Sequence, residues 1–393
     1  MKTTTRILMI LLLGALIVTG AAAFEVWHFA NTPFQPASDN SATVDATKDI
    51  IFDVNPGESF KVVARHLAEQ GLISKQWQVH EILMYFAKFS GAAAKVRVGE
   101  YSLSPQQTPR QILAVLASGH SIEHMITIPE GSNRYEIAEI LETSKFCKRA
   151  DFIKLTSDPA LVKELIGKDH LSLEGYLFPD TYSVTKFTSV KSLIKLMVQH
   201  FDDNYGKVAQ VVGWSKGKLT DSELVTLASI IEKETGAPEE RPVISSVFYN
   251  RMRIHMPLQT DPTIIYGLWE VNGSWNHNIS RVDLQTPGKW NSYLNQGLPP
   301  GPISNPGFEA LKAAGMPAQS DFLYFVSRND GTHMFSKDYG QHLKAVETYQ
   351  LNKKAREGKS WRDLQNRDAV PEVVVAAPDV DKKVSVKATP KKK

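Results

Sequence analysis

Cysteine is nearly absent: Cys147 is the only one in 393 residues, so no internal disulfide and no cysteine-built zinc cluster can brace this chain. A lone thiol does not identify the compartment. Charge of one sign is scarce too, since the formal net charge is +3 and much of the positive excess sits in Lys382, Lys383, Lys387, Lys391, Lys392 and Lys393. Nothing in that balance calls for nucleic acid as a partner. Hydrophobic residues at 42% and charged residues at 22% exclude both general disorder and a many-span membrane protein. About 330 residues remain once a greasy start and a polar tail are removed, enough for two or three domains.

One long apolar run is present. Ile7 to Phe24 carries no charge over about 18 residues, the lower limit for a membrane-spanning helix. Lys2 and Arg6 precede it, and Glu25 and Asp39 follow, which places the N-terminus in the cytoplasm and the body outside. The small residues Ala21, Ala22 and Ala23 also suit a cleaved signal, but the length of the run and the interfacial aromatics Trp27 and Phe29 favour an anchor over 7–27. The expected location is a single-pass inner-membrane protein with a periplasmic body.

Residues 28–50 are rich in Pro, Ser, Thr, Asn and Asp and read as a flexible stalk. Folding is expected from Ile51. A strand over Ile51–Val54, a turn at Asn55-Pro56-Gly57 and a helix capped by Ser59 form a first unit over 51–124. The pattern returns at 125–200: strand Met125–Ile128, turn Pro129-Glu130-Gly131, then a helix. Counted from Gly57 and Gly131, the apolar positions Val63/Ile137, Ala64/Ala138 and Leu67/Leu141 coincide. Thr108 to Gln111 opens another helix that Gly119 ends. Glu174 to Tyr182 must be a strand or ordered loop, because its Gly and Pro break a helix. The polar, Lys-rich stretch 353–393 reads as a disordered basic tail.

Chemistry concentrates in 201–352. Thr220-Asp221-Ser222-Glu223 is a capping box, and the helix it opens turns Leu224, Leu227, Ala228 and Ile231 to one face, with Glu232 on the flank. Glu234 lies about 160° further round, so the two acids cannot share a pocket. Burial would raise either carboxyl toward neutrality and let it hand a proton to a leaving oxygen. Periodicity leaves the choice open. Gln259-Thr260-Asp261-Pro262 starts a further helix, which Asp261 would cap unless it is catalytic. Asn291-Ser292-Tyr293 and the proline-rich Gly297 to Gly307 exclude helix and strand and suit a groove wall, and His333 either binds a ligand or sits in a turn.

The strand-turn-helix units resemble the sugar-gripping LysM module. Leu227 to Thr235, Leu258 to Gly267, and Gly297 to Gly307, in that order, resemble the YceG-like family of endolytic murein transglycosylases, and the likeness extends from the anchor to about Val346. That resemblance implies an α+β fold: a transmembrane helix, LysM-like modules and a mixed α+β catalytic domain with lysozyme-like active-site logic. It selects Glu232 as the catalytic acid. Gln259, Thr260, Asp261, Tyr266, Asn291, Tyr293 and Ser304 fall on motif positions that line the groove, with Ser292 standing where the family commonly has Thr. Peptidoglycan glycan strands are the implied substrate, peptidoglycan synthases are candidate partners, and no metal or organic cofactor is implied.

Overall fold

The computed structural model describes residues 2–33, 49–73, 76–167, 170–212, 219–235, 237–273 and 279–352. The expected tail lies outside these residues, as does most of the expected stalk. Helix α1 (Lys2–Asn31) is long and apolar enough over Ile7–Asn31 to cross a membrane, by length and composition, and its apolar side chains are exposed. It does not give way to a stalk at residue 28. Ala30 is fully buried and Phe29 packs against the core of the first unit, because the apolar stripe of α1 continues past the charge-free run.

In the first unit, β1 (Ile50–Val54) is followed by α2 (Phe60–Glu69), α3 (Trp77–Phe89), β2 (Gly99–Leu103) and α4 (Pro109–Ser118). β1 and β2 pair antiparallel, with Phe52 opposite Tyr101, and both side chains are fully buried. Ser59 occupies the cap position of α2, but its side chain makes no capping hydrogen bond. Thr108 does cap α4, with Gln111 returning the bond, and Gly119 ends the helix in the left-handed conformation that glycine adopts without strain.

The second unit repeats the plan through β3 (His124–Thr127), α5 (Arg134–Thr143), α6 (Arg149–Thr156), α7 (Pro159–Ile166) and β4 (Thr181–Val184), with β3 antiparallel to β4. The coincident positions behave alike. Val63 and Ile137, Ala64 and Ala138, and Leu67 and Leu141 are all essentially inaccessible, and burying each large aliphatic contributes about 1.5–3 kcal/mol.

The body begins within α8 (Val190–Val212), a helix that runs unbroken through residues 200 and 201, where the sequence suggests a boundary. Then come α9 (Asp221–Glu234), a short 3-10 turn at Pro238–Glu240, α10 (Arg241–Arg253), α11 (Asp261–Asn272), α12 (Arg281–Gln285) and α13 (Phe308–Gly315). β5 (Tyr324–Ser327) pairs antiparallel with β6 (His333–Ser336), and α14 (Tyr339–Val346) ends in a π turn, Glu347–Leu351. The chain is thus mixed α+β. Its second unit and its body are fused, since Tyr135, Tyr176 and Phe178 join the body's core while Ile153 and Ile166 pack against both cores.

Candidate active site

Helix α9 forms as its capping box dictates: Thr220 accepts from the Glu223 N–H and the Glu223 carboxylate accepts from Thr220 N–H. The single apolar face inferred from periodicity is an underestimate. Every residue from Leu224 to Ile231 is buried, because α10, α11, α13 and the proline-rich loop pack around the helix. The two acids therefore emerge only at its C-terminal end, on opposite sides. That end is the negative pole of the helix dipole, which disfavours an ionised carboxyl unless something compensates.

Glu232 has that compensation. One oxygen accepts from the Arg241 guanidinium at 2.9 Å and the other from the Gly307 N–H at 2.9 Å, and the side chain is only 5% exposed. Arg241 is also 3.9 Å from the half-exposed Glu130, whose carboxyl is raised above its ordinary range by burial and then by Glu232, against the pull of Arg241. A Cβ at Gly307 would push the Glu130 carboxyl aside. Both Glu232 oxygens are thus engaged by protein donors.

Glu234 is placed differently. It is the last residue of α9, keeps partial exposure, and its carboxyl accepts a hydrogen bond from the buried Thr260 hydroxyl. Burial pushes this carboxyl up to about 7, and Asp261 nearby adds to the rise while Thr260 and Arg251 oppose it. Arg251 is committed elsewhere, donating to the carbonyls of Leu258 at 2.7 Å and Leu323 at 2.6 Å. Glu234 therefore holds a proton near neutrality and stands beside a hydroxyl-rich rim.

That rim contains four of the residues the sequence motifs single out. Gln259 is exposed and held at φ +50, an unusual conformation for a side-chain-bearing residue that ligand-facing turns often carry. Thr260 contacts Glu234, and Tyr293 donates from its hydroxyl to Asp261 at 2.5 Å. Asp261 is the first residue of α11 and makes no side-chain cap, so the capping role expected for it is not observed. The rim residue that the motifs underrate is Ser292. Its hydroxyl accepts from Thr260 N–H at 3.0 Å and lies 2.8 Å from the Thr263 hydroxyl, while its carbonyl accepts from Gln259 N–H. Ser292→Ala is expected to cost about 1–3 kcal/mol by orphaning the buried Thr260 N–H, read as a lowered melting temperature.

The other three motif positions lie away from Glu234. Asn291 is buried and donates to the carbonyls of Leu284 and Thr286, fastening α12. Ser304 is fully buried and donates to the Ser229 carbonyl, tying the proline-rich loop to α9. Tyr266 belongs to a second buried group with Glu174 and Arg134. His333 lies in β6 and pairs with Glu240 at 2.7 Å.

Glu174 was hidden in sequence, with only its aromatic-rich surroundings as a sign. It is 2% exposed, burial pushes it up to about 7, and it accepts from the Arg134 N–H and from the Asn305 amide. Two carboxyls raised from 4.5 to about 7 fix the sign of a pH effect. Between those values the unfolded chain gives up protons that the folded chain keeps, so stability falls as pH rises through this window. Melting temperature is expected to decline from about pH 5 to about pH 7, and Glu174→Gln should flatten the slope.

Among the described residues, no group of three or more His, Cys, Asp or Glu is arranged to hold a metal ion. What the site offers is a carboxyl at the end of α9 that burial raises to about 7, beside the hydroxyls of Thr260 and Tyr293. That defines a class, an α+β protein equipped for acid/base chemistry on a polar substrate. The sequence profile of the YceG-like family matches residues 52–348, and the chain belongs to that family. It is 31% identical over 320 residues to a Bacillus subtilis protein named endolytic murein transglycosylase, covering 78% of this chain and 86% of that one. A Streptococcus pneumoniae protein of the same name is 30% identical over 326 residues, covering 75% of this chain and 57% of that one. A solved YceG-like protein from Listeria monocytogenes superposes with a TM-score of 0.52 at 32% identity, over 76% of this chain and 99% of that one.

Proposed function

We propose that this protein is an endolytic lytic transglycosylase of peptidoglycan, cutting the bond between MurNAc and GlcNAc inside nascent strands and so ending their elongation. The names of its relatives support the reaction class. The observation that carries the assignment of the acid is the Glu234 carboxyl, raised to about 7 beside Thr260, Asp261 and Tyr293. Glu232, which the resemblance selects, has both oxygens taken by Arg241 and Gly307 and has the contacts of an ion-pair anchor.

One carboxyl is enough for this reaction. Glu234 gives its proton to the glycosidic oxygen as the C–O bond breaks, and the resulting carboxylate removes the proton from the MurNAc 6-hydroxyl. That hydroxyl attacks the anomeric carbon and closes a 1,6-anhydro ring, restoring the acid. In this reading Gln259, Tyr293 and Asp261 orient the sugar and offset the positive charge that develops. Helix α1 would hold the body beside the inner membrane on its periplasmic side, where strands and their synthases meet, with the two small units gripping glycan as LysM-like modules do.

The test is mass analysis of purified sacculi after digestion. Anhydro-MurNAc ends support the proposal, reducing ends identify a hydrolase, and undigested strands with bound protein identify a scaffold.

A further inference from the structure

In its last turn α10 carries Asn250 and Arg251, two side chains that fasten the helix to its surroundings. Asn250 donates to the carbonyls of Ser320 at 2.8 Å and Phe322 at 3.0 Å. Arg251 reaches two ways: its Nε donates to the Leu323 carbonyl at 2.6 Å, and its Nη1 to the carbonyls of Leu258 at 2.7 Å and Pro257 at 3.3 Å. Its own carbonyl accepts from the Met256 N–H at 2.9 Å. One residue thus holds the turn that leaves α10. That turn needs holding, because His255 at φ +55 and Gln259 at φ +50 both lie in the left-handed region that side-chain-bearing residues disfavour. Its product is the Thr260 hydroxyl, delivered to Glu234.

The Arg251 guanidinium is buried, lies 5.4 Å from the centroid of the Tyr324 ring, and gives these bonds to neutral carbonyls. The carboxyl whose charge reaches it is Glu234. A cation so placed favours the carboxylate over the acid. The titratable groups acting on these two are Asp261 at the start of α11, the phenols Tyr293 and Tyr324, and His342 on α14. Asp261 works against Arg251 by favouring the protonated acid. Burial and then the Arg251 charge hold the His342 imidazole below its ordinary value, so it is neutral near pH 7.

We propose that Arg251 is the positioning residue of this site: it clamps the turn that brings Thr260 to Glu234, and its fixed charge supports the carboxylate formed when Glu234 has given up its proton. The inference rests on the Glu234 reading and deepens it. A group that must serve as acid and then as base within one turnover needs both states close in energy, and a buried cation tied to carbonyls supplies that charge already in place.

Arg251→Met removes both the charge and the clamp. It is expected to slow sacculus cleavage about tenfold or more, and to move the pH at which activity falls upward by about one unit or more, since a carboxyl without its cation is harder to ionise. Arg251→Lys keeps the charge, so its pH edge should stay at the wild-type position although its rate drops. Asn250→Ala is the control for a purely structural role: it loosens the same Ser320 to Leu323 segment, and should lower the melting temperature without moving the pH edge. Because a buried arginine variant can fail to fold, the Arg251 Nε–H resonance of the full chain in detergent is also followed from about pH 5 to about pH 9. It is identified by its loss in Arg251→Lys or, failing that, by its contacts with the Tyr324 ring. A step with its midpoint near 7 is expected in the wild type and should vanish in Glu234→Gln. A wild-type pH edge in folded Arg251→Met, an equal shift in Asn250→Ala, or no step near 7 in the wild-type resonance overturns the role of Arg251. Full activity in Glu234→Gln is a different failure, that of the acid itself, and the resonance tells the two apart because it does not depend on turnover.

Discussion

Glu234→Gln is expected to lower the rate of glycan cleavage by about 10²–10⁴-fold, the usual contribution of a positioned general acid, with little change in fold or strand binding. The amide oxygen can still accept from Thr260, so the local geometry persists and only the transferable proton is lost. Glu232→Gln should behave in the opposite way. It removes the charge that balances Arg241, a guanidinium only 9% exposed, and so costs stability while turnover stays within about tenfold of wild type. Activity should also fall as pH rises through about 7, because the reacting form is the protonated one and the Glu234 carboxyl titrates there. Parallel digestion of sacculi with both variants decides the matter. A dead Glu232→Gln beside an active Glu234→Gln would return the catalytic role to Glu232, as the family resemblance implies.

The difficulty of choosing between these acids from sequence has a physical cause. Helix periodicity reports direction only when one side of a helix faces water, and α9 is enclosed from Leu224 to Ile231. Local signals fared better. The Thr220 and Thr108 capping boxes, the left-handed Gly119, and the matched burial of Val63 with Ile137 and Leu67 with Leu141 were all legible, because they depend on residues a few places apart. Asp261 misled because Asp before Pro is a capping signal, while its real partner, Tyr293, lies 32 residues away. Glu130 and Arg241 reach Glu232 from 102 and 9 positions off respectively, and no short motif links them. The fusion of the second unit with the body was hidden for the same reason. Its contacts run between segments more than a hundred residues apart, such as Gly175 and Asn305.

Asn305→Ala is expected to cause the largest loss of stability, about 3–5 kcal/mol, because one fully buried side chain serves three segments. Its amide oxygen accepts from the N–H groups of Gly175 and Leu177, both at 2.9 Å, and its nitrogen donates to the Ser132 carbonyl and to Glu174, also at 2.9 Å. All four capacities of the amide are filled. Truncation leaves two buried N–H groups unpaired and takes a donor from a buried carboxyl, and at about 2–4 °C per kcal/mol the melting temperature should drop by about 6–20 °C. Asn305→Asp separates hydrogen bonding from mere size. The introduced carboxylate can still accept from Gly175 and Leu177, but it loses both donors and faces Glu174, whose carboxyl titrates at about 7. Below that pH a protonated Glu174 can donate to the newcomer; above it two carboxylates repel. Asn305→Asp should therefore approach wild-type stability in acid and fall below it with rising pH, a trend that Asn305→Ala should not share. Equal losses for the two variants at about pH 5 and about pH 8 would show that Asn305 acts by packing, and that the joint between the second unit and the body does not depend on its hydrogen bonds.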